Sequence, residues 1–309
     1  MNLVIRDPAD VRSVVGEVTA MTPGDVAAAY KRARAGFETR RHASPLDRAA
    51  VLAACAGLIR ANADDGAVTL VRENGKTRAE ATVEVTKAAD FLDYYASFGR
   101  QPWGEILADA RSGTQTTVRT EPVGVVMAIT PWNDPLLTPA RKLGPALIAG
   151  NAVLLKPAGQ TPLIAGWLAG LARQAGLPDG VLEVVTGRDE EISAALLTDP
   201  ELDAVTFTGS NAVGRYLRQA LSETNVRLQT ELGGKNASVV LADADLSRAH
   251  EFIDRAETGQ VAVNLPTSGW DVHHPFGGFR ESGSAFKEQG APGLRFYTRI
   301  KTAAVRYAW

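Results

Sequence analysis

Val123-Gly-Val-Val-Met-Ala-Ile-Thr-Pro-Trp-Asn133 decides how this chain folds. Residues 123–129 are a continuous apolar run of strand length, rich in β-branched side chains, as in strands buried on both faces. Pro131 stops the run, and Trp132 and Asn133 follow in a loop. A strand hidden on both sides belongs to a parallel sheet covered by helices, so strand and helix should alternate along the flanking sequence.

Downstream they do. Residues 135–149 read as helix, Ala152-Val-Leu-Leu-Lys156 as strand, and 162–175 as a helix closed by Gly176 and Pro178. Then come strand 181–186, helix 190–197, strand 204–208, helix 211–222 after Gly209-Ser210, and strand 226–230. Glu231-Leu-Gly-Gly-Lys-Asn236 separates that strand from another at 237–241. The expected fold is α/β, a Rossmann-like parallel sheet with flanking helices, its core at 123–258.

Upstream, residues 1–111 read as amino-terminal helices packed on that core. Residues 24–62 and 64–98 carry helical apolar spacing, with Asp25 as a first cap and a new start at Ser44-Pro45. Cys55 lies in a packing stripe and reads as a small buried hydrophobe. Residues 112–122 hold an alternating strand, 114–120, before Glu121-Pro122. Past helix 247–258, residues 259–309 contain strand 260–264, a loop-rich stretch at 265–293 and an alternating strand at 295–306. That last strand should pair with 114–120, within the chain or across a dimer, as a small β oligomerisation element.

Composition narrows the function. The chain has 309 residues, net charge −2, 45% hydrophobic and 22% charged residues, an ordinary globular balance. Nothing basic suggests nucleic acid, and no apolar run is long enough to span a membrane. A single cysteine excludes an internal disulfide framework and suits a reducing cytoplasm. Four histidines without ligand spacing suggest no metal.

The unusual residues sit in loops after strands: Thr130-Pro-Trp-Asn133, Lys156-Pro-Ala158, Thr186-Gly187 and Thr208-Gly-Ser210. In open α/β sheets such loops converge on one crevice, where a helix N-terminus attracts phosphate. Gly209-Ser210 before a helix reads as a pyrophosphate seat. Lys156 reads as a partner for ribose hydroxyls or a phosphate. Glu231, a carboxylate ahead of paired glycines, lies where backbone can approach a ligand closely.

Taken in order, these segments resemble the aldehyde dehydrogenase superfamily from about residue 23 to 305. Phe37–Arg48 and Glu73-Asn-Gly-Lys-Thr77 resemble its amino-terminal helices. Thr130-Pro-Trp-Asn-Asp-Pro135 resembles its Pro-Trp-Asn loop, and Lys156-Pro-Ala-Gly-Gln-Thr-Pro162 and Phe207-Thr-Gly-Ser210 its cofactor loops. Glu231-Leu-Gly-Gly-Lys-Asn236 resembles its glutamate motif; Pro275-Phe-Gly-Gly278, Glu288-Gln-Gly290 and Lys301-Thr302 resemble its carboxyl-terminal signature. Asn264-Leu-Pro-Thr267, Asp271, His273 and Pro275-Phe276 look most like the branch that oxidises ketoglutarate semialdehyde and related short oxo-acid aldehydes.

The resemblance implies NAD or NADP as cofactor, a small-molecule substrate and a homo-oligomer, dimer or tetramer. It implies catalytic roles for Asn133, as oxyanion donor, and Glu231, as general base. It implies cofactor binding by Thr130, Pro131, Trp132, Lys156, Pro157, Ala158, Gly187, Phe207, Thr208, Gly209, Ser210, Val213, Leu232 and Gly233. Gly159, where many NAD-preferring members carry a glutamate, points towards NADP; Asp189 points towards NAD.

One part of the pattern is missing. The family's nucleophile is a cysteine in a separate catalytic domain, and Cys55 does not match its motif. Asp243-Ala-Asp-Leu-Ser-Arg-Ala249 runs straight into His250-Glu-Phe-Ile-Asp-Arg-Ala256, so the resemblance implies that a domain of ~100–200 residues is absent near 249–250. The expected function is an NAD(P)-binding oxidoreductase without thiol chemistry, moving hydride to or from a carbonyl, imine or alcohol. The alternatives are a non-catalytic binding, oligomerisation or regulatory module, or an engineered deletion of a dehydrogenase.

Overall fold

The computed structural model describes residues 2–234, 246–266 and 269–307. An antiparallel hairpin opens the chain, β1 (Asn2–Asp7) and β2 (Asp10–Thr19). Helices α1 (Pro23–Arg40), α2 (Pro45–Ala61), α3 (Ala63–Asn74) and α4 (Arg78–Ala96) follow. Next are β3 (Gly104–Leu107) and β4 (Thr114–Pro122). The alternating core comprises β5 (Val125–Ile129), α5 (Leu137–Ala149), β6 (Ala152–Lys156), α6 (Pro162–Gln174), β7 (Leu182–Val184), α7 (Asp189–Thr198), β8 (Ala204–Thr208), α8 (Asn211–Ala220) and β9 (Arg227–Glu231). After it come α9 (Leu246–Arg255), the single turn α10 (Gly290–Gly293) and β10 (Thr298–Arg306).

Among the described residues, five of these strands form a parallel sheet in the order β7-β6-β5-β8-β9. Alternation along each strand sends side chains to two separate cores. Val126 and Ala128 of β5 and Val153 and Leu155 of β6 join α2–α6 on one face. Val125, Met127, Ala152 and Leu154 join α1, α7 and α8 on the other. That two-sided burial is why both strands read as unbroken apolar runs.

Several expectations change. Residues 2–19 form a hairpin rather than part of a helical region. Thr22, not Asp25, is the N-cap of α1; Asp25 sits three residues on and completes a capping box. The helical stretch 64–98 breaks at Gly75, whose φ of +84° ends α3, and Thr77 restarts it as α4. Residues 260–264 form no strand. Beside β9, backbone pairing at Glu231 is taken by Gly283, with Ser284 N donating to Thr230 O at 2.9 Å, which leaves 260–264 no edge to join there. The expected strand at 237–241 lies outside the described residues. The strand expected at 295–306 begins at Thr298 and pairs antiparallel with β4 inside the chain, Thr298 opposite Pro122 and Arg306 opposite Thr114. With β3 on the far edge of β4, this makes a three-stranded sheet.

The amino-terminal helices do more than cover a face. Glu73, at the end of α3, accepts from Leu163 N (2.5 Å) and Ile164 N (3.0 Å) at the start of α6. Glu84, on α4, accepts from Leu136 N (2.9 Å) and Leu137 N (3.0 Å) at the start of α5. Both helices lack a side-chain cap of their own, so remote carboxylates satisfy their first amides. Replacing Glu73 by Ala leaves two buried amides unpaired and should lower the unfolding free energy by ~2 kcal/mol, read from urea denaturation.

Candidate active site

The carboxyl ends of β5, β6, β8 and β9 open into one cleft of about 650 Å³. Of the residues named from sequence, it is lined by Thr130, Pro131, Trp132, Asn133, Lys156, Pro157, Ala158, Phe207, Thr208, Gly209, Ser210, Val213, Glu231, Leu232 and Gly233. Gly187 is not in it. That glycine lines an adjoining cavity with Gly159 and Arg188, which meets the cleft at Asp189.

Each wall of the cleft is held from behind. Asn74 donates to Trp132 O at 2.6 Å, and Lys76 bridges Glu84 (2.5 Å) and Asp134 (3.0 Å). The loop carrying Asn133 is thus pinned by the same turn whose Glu73 caps α6. On the opposite wall, Asn211 accepts from Gly233 N at 3.0 Å and donates to Glu281 O at 3.3 Å, fixing Leu232-Gly233. Ile129, Leu196, Leu197, Phe207, Val213 and Leu217 make one end apolar.

Polar anchors mark the rest. Ser210 caps α8 by accepting from Val213 N at 3.3 Å. The starts of α5 and α6 are occupied by Glu84 and Glu73, and the first turn of α7 carries Asp189, Glu190 and Glu191. Among these helices, α8 alone offers the cleft an N-terminus with no carboxylate in its first turn or bonded to its amides. Lys156, nearly buried, donates to Pro157 O at 3.0 Å and pairs with Asp189 at 2.7 Å. Thr130 Oγ1 is buried without a hydrogen-bond partner among the described residues.

Glu231 stands at the end of β9, 5% exposed, its Oε1 likewise without a partner. Burial, then the nearby Glu288 carboxylate, push its carboxyl up to about 8. Gly277 packs directly on it: a Cβ there would lie 2.5 Å from Oε1, and the φ of +131° already demands glycine.

Behind Glu231 lies a charged layer that sequence reasoning missed. Lys142 and Glu288, both 0% exposed, form an ion pair. Lys142 also donates to Thr206 Oγ1 (2.9 Å), Thr206 to Gln229 Oε1 (3.0 Å), and Gln229 to Lys287 O (3.1 Å). Arg141 approaches Glu288 at 3.3 Å from the other side. Burial alone would raise Glu288; the two cations outweigh it and hold the carboxyl below its ordinary value. The available signal was the adjacent pair Arg141-Lys142 inside a mainly apolar helix, Leu137–Ala149. Cys55 is far from this chemistry, packed between α2, α4, α5 and α6 among Leu52, Leu92, Leu143 and Leu168, and burial pushes its thiol up to about 12.

Among the described residues, no three His, Cys, Asp or Glu side chains gather as a metal site, and no helix is long and apolar enough to cross a membrane.

Comparison with known proteins agrees with this architecture. The sequence profile of the Aldehyde dehydrogenase family matches in two segments, residues 2–251 and 244–303. A 2,5-dioxopentanoate dehydrogenase of Saccharolobus solfataricus is 36% identical over 255 residues, covering 82% of this chain and 53% of the relative. A probable NADP(+) succinate-semialdehyde dehydrogenase of Sinorhizobium fredii is 40% identical over 255 residues, covering 81% and 52%. The chain spans about half the length of these curated relatives. A crystal structure of apo indole-3-acetaldehyde dehydrogenase superposes with a TM-score of 0.93 at 26% identity, the match extending over 98% of this chain and 92% of that one. The fold, the motif-lined cleft and a profile match along nearly the whole sequence agree: the chain belongs to the aldehyde dehydrogenase family.

Proposed function

We propose that this chain is an NAD(P)-binding oxidoreductase that interconverts a small alcohol and its carbonyl, or an imine and its amine, without a cysteine nucleophile. The observation that carries this reading is Glu231: a buried carboxyl with an unpartnered oxygen, on the wall of the cleft at the strand ends. The two-part profile match and the half-length coverage support the absence of a catalytic domain near 249–250. The sequence's one cysteine is the buried Cys55.

The residues present fit a dinucleotide. The α8 N-terminus at Ser210 would hold the pyrophosphate, Lys156 a ribose, Val213, Leu196 and Leu197 the adenine, and Thr130 Oγ1 and Leu232-Gly233 the nicotinamide end. When bound, the cofactor supplies or accepts a hydride at the substrate carbon. Alcohol oxidation then leaves one hydroxyl proton, which Glu231 takes; carbonyl reduction returns it. Asn133, on a pinned loop of the same cleft, would present an amide donor towards the nicotinamide end. The reduced, buried cysteine suits a cytoplasmic location.

A second reading is a binding module that assembles through the β10-β4-β3 sheet. Its edge strands expose Ile106 and Val305 on one face and Ile300 on the other, apolar positions open to a second copy of this chain. A dimer or tetramer that binds no dinucleotide would favour that reading over the first.

Two outcomes test the enzyme reading. Glu231→Gln should lower kcat by ~10²–10⁴-fold and leave dinucleotide affinity unchanged, measured by steady-state kinetics and calorimetry. Because burial raises the Glu231 carboxyl, the wild type holds its proton at neutral pH. Carbonyl reduction should therefore fall, and alcohol oxidation rise, as pH passes about 8. Since the Asp189 carboxylate neutralises Lys156 and opposes a 2′-phosphate, NAD should be preferred. Asp189→Asn should shift the NADP-to-NAD affinity ratio upward by about tenfold, read by titration of both cofactors.

A further inference from the structure

A second cavity, about 420 Å³, opens on the far side of Glu231 and shares Glu231 and Leu232 with the cofactor cleft. Aromatic side chains contribute to its walls: Phe252 from α9, and Trp270, Phe276 and Phe279 from the loop that follows. Val261 and Ala262 add apolar surface, and Thr258, Gln260 and Ser282 add polar groups. Two buried polar atoms of this lining have no hydrogen-bond partner among the described residues, the acceptor Glu231 Oε1 and the donor Gln260 Nε2. A cavity of this size, with aromatic side chains beside unpaired polar atoms, has the makings of a small-molecule site.

The charge of the lining selects the ligand. Its described residues include two acids, Glu231 and Glu257, and no lysine or arginine. The nearby described cations are engaged: Arg280 pairs with Glu257, Lys287 donates to Gly277 O while its ammonium lies 4.9 Å from the Phe279 ring, and Arg141, 5.0 Å from the Phe276 ring, pairs with Glu288. Among the described lining residues, an anionic oxo acid entering here would find no unpaired cation to balance its charge. A neutral aromatic alcohol or carbonyl would stack on Trp270 and Phe252 and give its oxygen to the Gln260 amide and the Glu231 carboxyl.

We infer that this cavity is the substrate site and that it takes a neutral, aromatic alcohol or carbonyl compound rather than a semialdehyde of a dicarboxylic acid. The inference rests on the hydride-transfer reading for turnover, not for binding. Its test is binding of benzyl alcohol and of 4-hydroxybutyrate to the full chain without cofactor, by calorimetry. The first is a neutral aromatic probe, the second an anionic one with the same primary alcohol. Benzyl alcohol should bind at least tenfold more tightly. Trp270→Ala and Gln260→Leu should each weaken it about tenfold, with the melting temperature and dinucleotide affinity unchanged. Equal or tighter binding of 4-hydroxybutyrate overturns the inference, as do unaltered affinity in both variants and no saturable binding of benzyl alcohol. Binding with the expected preference but no turnover on adding NAD(P) upholds the site and overturns the hydride-transfer reading instead.

Discussion

The carboxylates of Glu73 and Glu84, each set against two backbone amides at the start of a core helix, are the constraint on which the arrangement depends. A helix that begins at the carboxyl end of a parallel strand presents unpaired amides to the crevice. Here two such ends are closed by acids reaching in from another layer. The amino-terminal helices are thereby fastened to α5 and α6 at defined points, not merely through apolar contact. The four-residue turn Glu73-Asn-Gly-Lys76 couples that fastening to the cleft, because its neighbouring side chains grip the Trp132–Asp134 loop. Closing two helix starts also leaves α8 as the positive pole facing the crevice, so the same acids that hold the fold together direct where an anion can rest.

A second electrostatic arrangement sets the character of the reactive end. Two carboxyls, Glu231 and Glu288, stand close enough to repel, and the buried cations favour one of them. Lys142 and Arg141 face Glu288 and keep it charged. Glu231 receives burial and repulsion and retains its proton. The asymmetry follows from placement: one acid lies within a hydrogen-bonded layer with Lys142, Thr206 and Gln229, and the other projects past the end of that layer against Gly277. Two like groups in unlike surroundings come to hold different charges at neutral pH.

Much of this was legible in the sequence where local rules govern. Val123–Ile129 announced a two-faced strand, and the helix and strand alternation after it followed from periodicity and from glycine and proline punctuation. The strand-end loops were gathered into one cleft as topology requires, Gly187 apart, since its backbone turns towards Ile192 and Met21 and into the neighbouring cavity. Long-range effects were not legible. Residues 260–264 have strand composition, but the place beside Glu231 is taken by Gly283. The hairpin at 2–19 depends on its own pairing and on anchorage to Thr186, whose hydroxyl donates to Thr19 O at 2.6 Å. The Lys142–Glu288 pair joins residues 146 positions apart, and no local pattern links them.

Cys55 carries a consequence of a different kind. Sealed among leucines, with its thiol held protonated, it is closed to alkylating agents, peroxides and reactive carbonyls while the fold is intact. A sole thiol in that position reacts only when α2 swings away from α4, α5 and α6. The rate at which a thiol reagent in excess labels this chain is therefore a direct count of how often its core opens.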